Sequence, residues 1–326
     1  MWQLKGNLQL WPMRVRPFDL FGLLFGLLIV GCSQPETADG CGSKACLPVY
    51  KGMKGALIAT RFQSLEEFSQ LVHIDYEGDT TMPDTLPGHA VTLCHCTDGW
   101  KVTSRLESGP SQDDLMRAKD GNFLQKAALL VSAPDVLAHR ADLERVFLLS
   151  RHLQSRFGEG DPAFFDLADT ARSHMPHSEI IAFSPKDAGE KGFINTFNHI
   201  IAQAFITALF SEELADLAAD LHERKNMPQL CTGRFSKNQI QDPDNNPVDN
   251  YVDMINNEWG QELGKMLAAK YGIHRGTAWS SGLMCNFLND LQSFFMWSTG
   301  VSMRPFTEQD DLMWRFSAKI NLVMKP

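Results

Sequence analysis

Residues 247–266 read PVDNYVDMINNEWGQELGKM, and their spacing decides the class of fold. Plotted at about 100° per residue, Val252, Ile255, Trp259, Leu263 and Met266 form one apolar stripe, the signature of an amphipathic helix. Pro247 suits the first turn of that helix, and the segment opens directly after Asn246. Beside the stripe run Asp249, Asp253, Asn256 and Gly260, which puts two carboxylates, an amide and a close-approach glycine on one line next to the core. Asn257 borders the line. Adjacent asparagines in a helix interior oppose helix propensity, so they are there for their side chains.

Upstream, residues 193–210 carry a stripe of Phe197, Ile200, Ile201, Ala204, Phe205 and Ala208, with Ala202, Ile206 and Phe210 on the far side. A helix apolar almost all round is buried, which makes His199 and Gln203 buried polar groups in need of partners. Ser211 then caps a helix with its stripe at Leu214, Leu217, Ala218 and Leu221. His222 sits at the edge of that stripe and can face the core. Glu223 lies almost opposite and reads as a solvated charge. Further out, Pro134 opens a helix running to about residue 157, and Asp161-Pro162 opens another to about 174. Residues 314–323 read as a strand or a tail. Towards the N-terminus, Ser64 to Glu67 resembles a capped helix start, and 89–96 and 100–106 form a hairpin around Thr97-Asp98-Gly99. The expected fold is mainly α, a helical C-terminal domain (111–326) preceded by a small mixed α/β region (49–110). The motif segment is 193–270.

The residue types in that segment set the chemistry open to it. His199, His222, Asp253 and Asn257 are candidate catalytic residues, because an imidazole beside a carboxylate does general acid–base work. His199, His222, Asp249 and Asp253 are candidate ligands, since two histidines and a carboxylate could hold a divalent metal that activates water. The rival reading is a buried hydrogen-bond network that fixes how three helices pack. Phe197-Asn198-His199, His222-Glu223 and Asp253-Met254-Ile255-Asn256-Asn257-Glu258-Trp259-Gly260 resemble an uncharacterised helical domain family of bacterial secreted and toxin-like proteins. That family's pattern runs phenylalanine-arginine-histidine-alanine, then histidine-glutamate, then aspartate-x-x-asparagine-asparagine-x-x-glycine. The likeness covers about a quarter of the chain, and Asn198 and Ile200 depart from it. It implies a domain and no reaction.

The N-terminal residues speak to location. Residues 20–31, LFGLLFGLLIVG, are uncharged and too short to span a bilayer as a helix. With Lys5, Arg14 and Arg16 before them they match a signal-peptide apolar region. Translation from Met13 rather than Met1 would give a leader of more usual length. Leu28-Ile29-Val30-Gly31-Cys32 resembles the lipobox of bacterial lipoproteins. The resemblance implies removal of residues 1–31, fatty acylation of Cys32 and a polar tether over 32–48. Ser33 resembles the outer-membrane sorting choice, facing the periplasm or the cell surface. The membrane is then the expected partner through the lipid, with an envelope protein or the cell wall as further partners. A chain of 326 residues with 30 basic against 39 acidic side chains and net charge −9 argues against nucleic acid. Export makes disulfides plausible among the remaining six cysteines, Cys41, Cys46, Cys94, Cys96, Cys231 and Cys285. Zinc at Cys94-His95-Cys96 is the rival there, disfavoured by the spacing. Two function classes follow: a hydrolase-like envelope enzyme using the His/Asp/Asn cluster, or a non-catalytic envelope lipoprotein in which that cluster is structural.

Overall fold

The computed structural model describes residues 54–78, 88–122, 129, 133–178, 186–187 and 190–325. Contacts divide the chain into Met1–Gly40 and Cys41–Pro326, and every described residue belongs to the second unit. Cys32, Cys41 and Cys46, with the apolar run 20–31 and the polar segment after it, lie outside the described residues.

A small mixed α/β region comes first. Strands β1 (Val72–Glu77), β2 (Ala90–Thr97) and β3 (Trp100–Glu107) form an antiparallel sheet in the order β1-β2-β3. The hairpin falls where expected. Thr97 pairs with Trp100, and both turn residues between them take positive φ, Asp98 at 46° and Gly99 at 83°, as a tight two-residue turn requires. Strand β1 alternates Val72, Ile74 and Tyr76 with His73, Asp75 and Glu77, the period of a half-buried strand, and it pairs antiparallel with β2.

The remainder is predominantly helical. The longer helices are α1 (Gln112–Asp120), α2 (Arg140–Leu149), α3 (Phe164–Ser173), α4 (Asn195–Leu209), α5 (Glu212–Asn226), α6 (Pro247–Tyr271), α7 (Ser281–Thr299) and α8 (Asp311–Val323). Local chemistry sets several ends. Ser211 Oγ accepts from Leu214 N at 3.1 Å and Asn246 Oδ1 from Asp249 N at 3.0 Å, and Gly272 closes α6 in the left-handed conformation. Helix α6 is sandwiched. Tyr251, Val252, Ile255 and Trp259 pack with Val91, Leu93, Val102 and Leu106 of the sheet. The larger core gathers α3, α4, α7 and α8 around Phe164, Phe205, Phe287 and Phe316. The Trp259 indole also donates to His95 Nδ1 at 3.1 Å, tying sheet to helix.

Three local expectations change. The helix expected up to residue 157 breaks into Pro134–Ala138, α2 and Gln154–Phe157; the first break falls at His139, and ahead of the last piece Leu153 N donates to the Asp161 carboxylate at 2.6 Å. Residues 314–323 are helical. Met266, assigned to the apolar stripe, is exposed. The disulfide framework is also corrected. Cys94, Cys231 and Cys285 are free, buried thiols, and no disulfide joins two described residues; Cys96 is not one of the free thiols. Cys94 Sγ contacts Thr103 Oγ1, and Cys231 and Cys285 donate to the carbonyls of Leu106 and Phe306. Each thiol thus has a different partner of its own.

Candidate functional site: a polar ladder between two parallel helices

Side chains one turn apart on α4 and on the turn before it meet side chains one turn apart on α6. Lys191 Nζ donates to Asp249 Oδ2 at 3.1 Å. Asn195 Nδ2 donates to Asp253 Oδ1 at 3.0 Å. His199 Nδ1 lies 2.9 Å from Asn257 Oδ1, and Gln261 Nε2 donates to Gln203 Oε1 at 3.4 Å. Every rung joins residues 58 apart in sequence. A constant offset with both numbers rising requires the two helices to run parallel, and the four-residue step is the period at which side chains stack on one helix face. His199 also braces the second rung, its Nε2 3.3 Å from Asp253 Oδ2.

The ladder is buried. Asp249, Asp253, Asn257, Gln203 and Gln261 are all under a tenth exposed, so each needs the partners it has. Close helix approach comes from glycine. A Cβ on Gly260 would lie 2.7 Å from the Ile200 carbonyl oxygen, and one on Gly264 would lie 2.6 Å from that of Ala204. The two adjacent asparagines divide the work because they point about 100° apart. Asn257 faces His199, whereas Asn256 turns to the incoming chain. Leu57 N donates to Asn256 Oδ1, and Asn256 Nδ2 returns a bond to Leu57 O, both at 2.8 Å. Thr196 Oγ1 on α4 donates to the same carbonyl at 2.9 Å.

Burial shifts the charges. The Asp253 carboxyl is pushed up to about 7, chiefly by desolvation, with His199 opposing and Asp249 adding to the rise. Desolvation lowers His222 to about 3, and nearby His199 adds to this, which leaves His222 neutral at pH 7. Its ring centroid is 6.3 Å from that of His199, and its Nε2 is 3.0 Å from Asn226 Nδ2.

The structure therefore brings His199, Asp253 and Asn257 into direct contact and sets Asp249 one rung away; His222 stands to one side. Glu223, read as solvated, is instead 1% exposed. The Asn257 side chain is the group that offers its carboxyl a hydrogen bond. The Glu223 pKa is raised by burial first and then by Asp253, Asp249 and Asp220. Helix periodicity placed Glu223 correctly relative to its own stripe, but α5 is covered on that second side as well. The proposed ligand set is not assembled: among the described residues no three His, Cys, Asp or Glu side chains are placed to hold a metal ion. Asn195, Lys191 and Gln261 were missed, although two matching series of polar residues at every fourth position were visible in the sequence.

A separate cleft of about 580 Å³ lies between β3 and α5. Its acidic lining includes Glu107, Asp216, Asp220 and Glu258, against Arg105 and Arg224. Desolvation lifts Asp220 to about 7 despite Arg224 and Glu258 to about 8. No protein-family model, curated protein or solved structure matches the chain.

Proposed function

We propose that the chain is a non-catalytic, lipid-anchored protein of the bacterial cell envelope, sorted to the outer membrane and held by acyl groups on Cys32. Its helical body is a rigid scaffold in which the His/Asp/Asn cluster is structural. One observation carries the structural reading. His199, Asp253, Asn257 and Asn195 bond to one another across the two helices, in a ladder whose fixed offset sets the register of α4 against α6. The anchor rests on the sequence at 28–32.

A hydrolase-like reading has one point in its favour. Glu223 is a buried carboxyl whose pKa is raised first by burial and then by Asp253, against the Asn257 side chain, the condition of many general acids. The two readings differ in what Glu223→Gln and Asp253→Ala do. A structural cluster expects Asp253→Ala to lower unfolding free energy by about 2–3 kcal/mol, through loss of buried bonds. It expects Glu223→Gln to be neutral or stabilising at pH 8, and no turnover of chromogenic esters, peptides or glycosides. Turnover that Glu223→Gln abolishes while the unfolding midpoint holds would overturn it. For the anchor, a fatty-acid analogue should label the wild-type chain and not Cys32→Ser. Equal labelling of both chains refutes acylation at this residue.

A further inference from the structure

The cleft between β3 and α5 runs beside an open strand edge. In the sheet order β1-β2-β3, strand β3 is an edge. Just past it, Ser108 N donates to His89 O at 2.8 Å, which continues the β2–β3 register. Bonded and non-bonded pairs alternate along an antiparallel ladder, so the bonds to β2 fall on the even-numbered residues of β3. Thr103, Arg105 and Glu107 therefore turn their backbone N–H and C=O groups to the outer edge, and all three line the cleft. Arg224 Nε reaches that edge and donates to Glu107 O at 2.7 Å. Among the described residues, nothing bonds the outward backbone groups of Thr103 and Arg105. An unpaired edge is a template for another extended chain. Across the cleft, Leu217 and Leu221 of α5 continue an apolar strip with Ala133 and Val136. Asp216 and Asp220 stand one turn apart beside it, and Glu258 of α6 completes the wall. The neighbouring basic groups are already engaged. Arg105 bonds Glu77 and Glu107, Arg224 bonds Asp220, and Lys265, near Asp216, bonds Glu212 and Glu262. Asp216 and Glu258 are held instead by neutral donors, the side chains of Gln261 and Ser104.

We propose that this cleft is a docking site for an extended, lysine-bearing segment of a partner protein, which adds as a fourth strand along β3 and sets a lysine ammonium against Asp216 and Glu258. Neither acylation of Cys32 nor the role of the His/Asp/Asn cluster bears on this site. In strand addition the backbone bonds supply affinity, here to Thr103 and Arg105, and side-chain pockets supply selectivity. Charge selects the partner, because the lining carries six carboxyls against two guanidiniums. A lysine side chain matches both parts of that lining. Its methylenes lie along Leu217 and Leu221, and its charge meets the carboxyls. A second copy presenting the same acidic edge is opposed by like charge. The volume of about 580 Å³ is in the range of ordinary ligand sites. Burial first, and Asp216 next, lift the Glu258 carboxyl to about 8, and burial raises Asp216 as well. An ammonium beside the two favours their ionised forms and relieves that repulsion.

Fluorescence anisotropy with the full chain tests this, at about pH 8.5, where Glu258 is mostly ionised. The probe is a blocked, dye-labelled heptapeptide of alternating threonine and valine with a central lysine. Its binding should weaken about tenfold or more when Asp216→Asn and Glu258→Gln are combined, and as much when norleucine replaces the peptide's lysine. Glu144→Gln with Glu159→Gln, at exposed carboxyls outside the lining, removes the same charge and should leave binding within about twofold. N-methylation of alternate peptide nitrogens should abolish binding, because it deletes the ladder donors and keeps the lysine. The norleucine and N-methyl peptides are read on the wild-type chain, so they decide the matter whatever the substitutions do to folding. No binding of the unmodified heptapeptide overturns the proposal. Equal binding of the N-methylated peptide overturns it too, since charge alone then accounts for the contact. The same holds for equal loss in both double variants. Free cadaverine binding as tightly as the heptapeptide would make the cleft a small-amine site and overturn the partner segment. A dimer of the chain that the heptapeptide dissolves would put a second copy on β3, which also overturns it.

Discussion

Lys319 shows how one side chain acquires its meaning from groups far away in sequence. It is 2% exposed, and its three ammonium protons are matched by three oxygens: Pro162 O at 2.6 Å, Arg151 O at 2.7 Å and Asp161 Oδ2 at 2.9 Å. A buried ammonium is tolerated only with such partners. Lys319→Met would keep the packing but strand the Asp161 carboxylate, which is fully buried. We expect a loss of about 3–5 kcal/mol in chemical denaturation, whereas Lys325→Met at the exposed end should cost under about 0.5 kcal/mol. Equal effects would mean that the buried pair contributes nothing. His95 is the neutral counterpart: desolvation lowers it to about 4, so it stays an acceptor for the Trp259 indole.

The α4–α6 pair joins packing to polar register, because the two act on the same face. Gly260 and Gly264 let the backbones approach, and only at that separation do short side chains such as Asn195 and Asp253 reach each other. Gly260→Ala gains helix propensity of about 1 kcal/mol, but its methyl meets the Ile200 carbonyl and the Gln203 side chain under 3 Å away. Overpacking of this kind costs about 1–3 kcal/mol, and it pulls open the rungs above and below. The expected result is a net loss of about 1–2 kcal/mol, with weakened hydrogen-exchange protection along 195–209 and 250–265. Gly272→Ala meets no atom within 4 Å, so its cost is only the left-handed backbone at the end of α6, and it should fray that end while leaving 195–209 protected relative to global stability. A Gly260→Ala chain as protected as the wild type would show that the ladder does not depend on close approach.

Across the whole molecule, buried carboxyls dominate the response to pH. Asp253 and Asp220 are lifted to about 7, Glu258 to about 8, and Glu223 is raised as well, each chiefly by desolvation. For an acid with a folded pKa above its unfolded value, the folded state holds the extra proton. Its stability contribution is therefore full below about pH 4 and is lost as pH rises through the folded pKa. The unfolding midpoint should fall between about pH 5 and 8, opposite to the rise that ordinary paired carboxylates give. Glu223→Gln should flatten part of that slope. A midpoint that climbs from pH 5 to 8 would contradict the buried, neutral state of these acids.

Local chemistry by itself determined a mainly helical chain with a small mixed region ahead of it. The caps at Ser211 and Asn246, the Asp98-Gly99 turn and the apolar stripes of α4 and α6 are all short-range signals, so spacing alone was enough to place them. The line Asp249, Asp253, Asn256 beside a glycine was legible for the same reason. Its partners were not, because Asn195, Lys191 and Leu57 lie 58 or more residues away, and nothing in either segment states the offset at which they meet. Only the tertiary structure decided that Glu223 is covered on its polar side, that three cysteines stay apart as free thiols, and that Lys319 finds Asp161. Periodicity shows which residues share a face. Burial and pairing depend on what is laid against that face, and packing of the distant chain settles that.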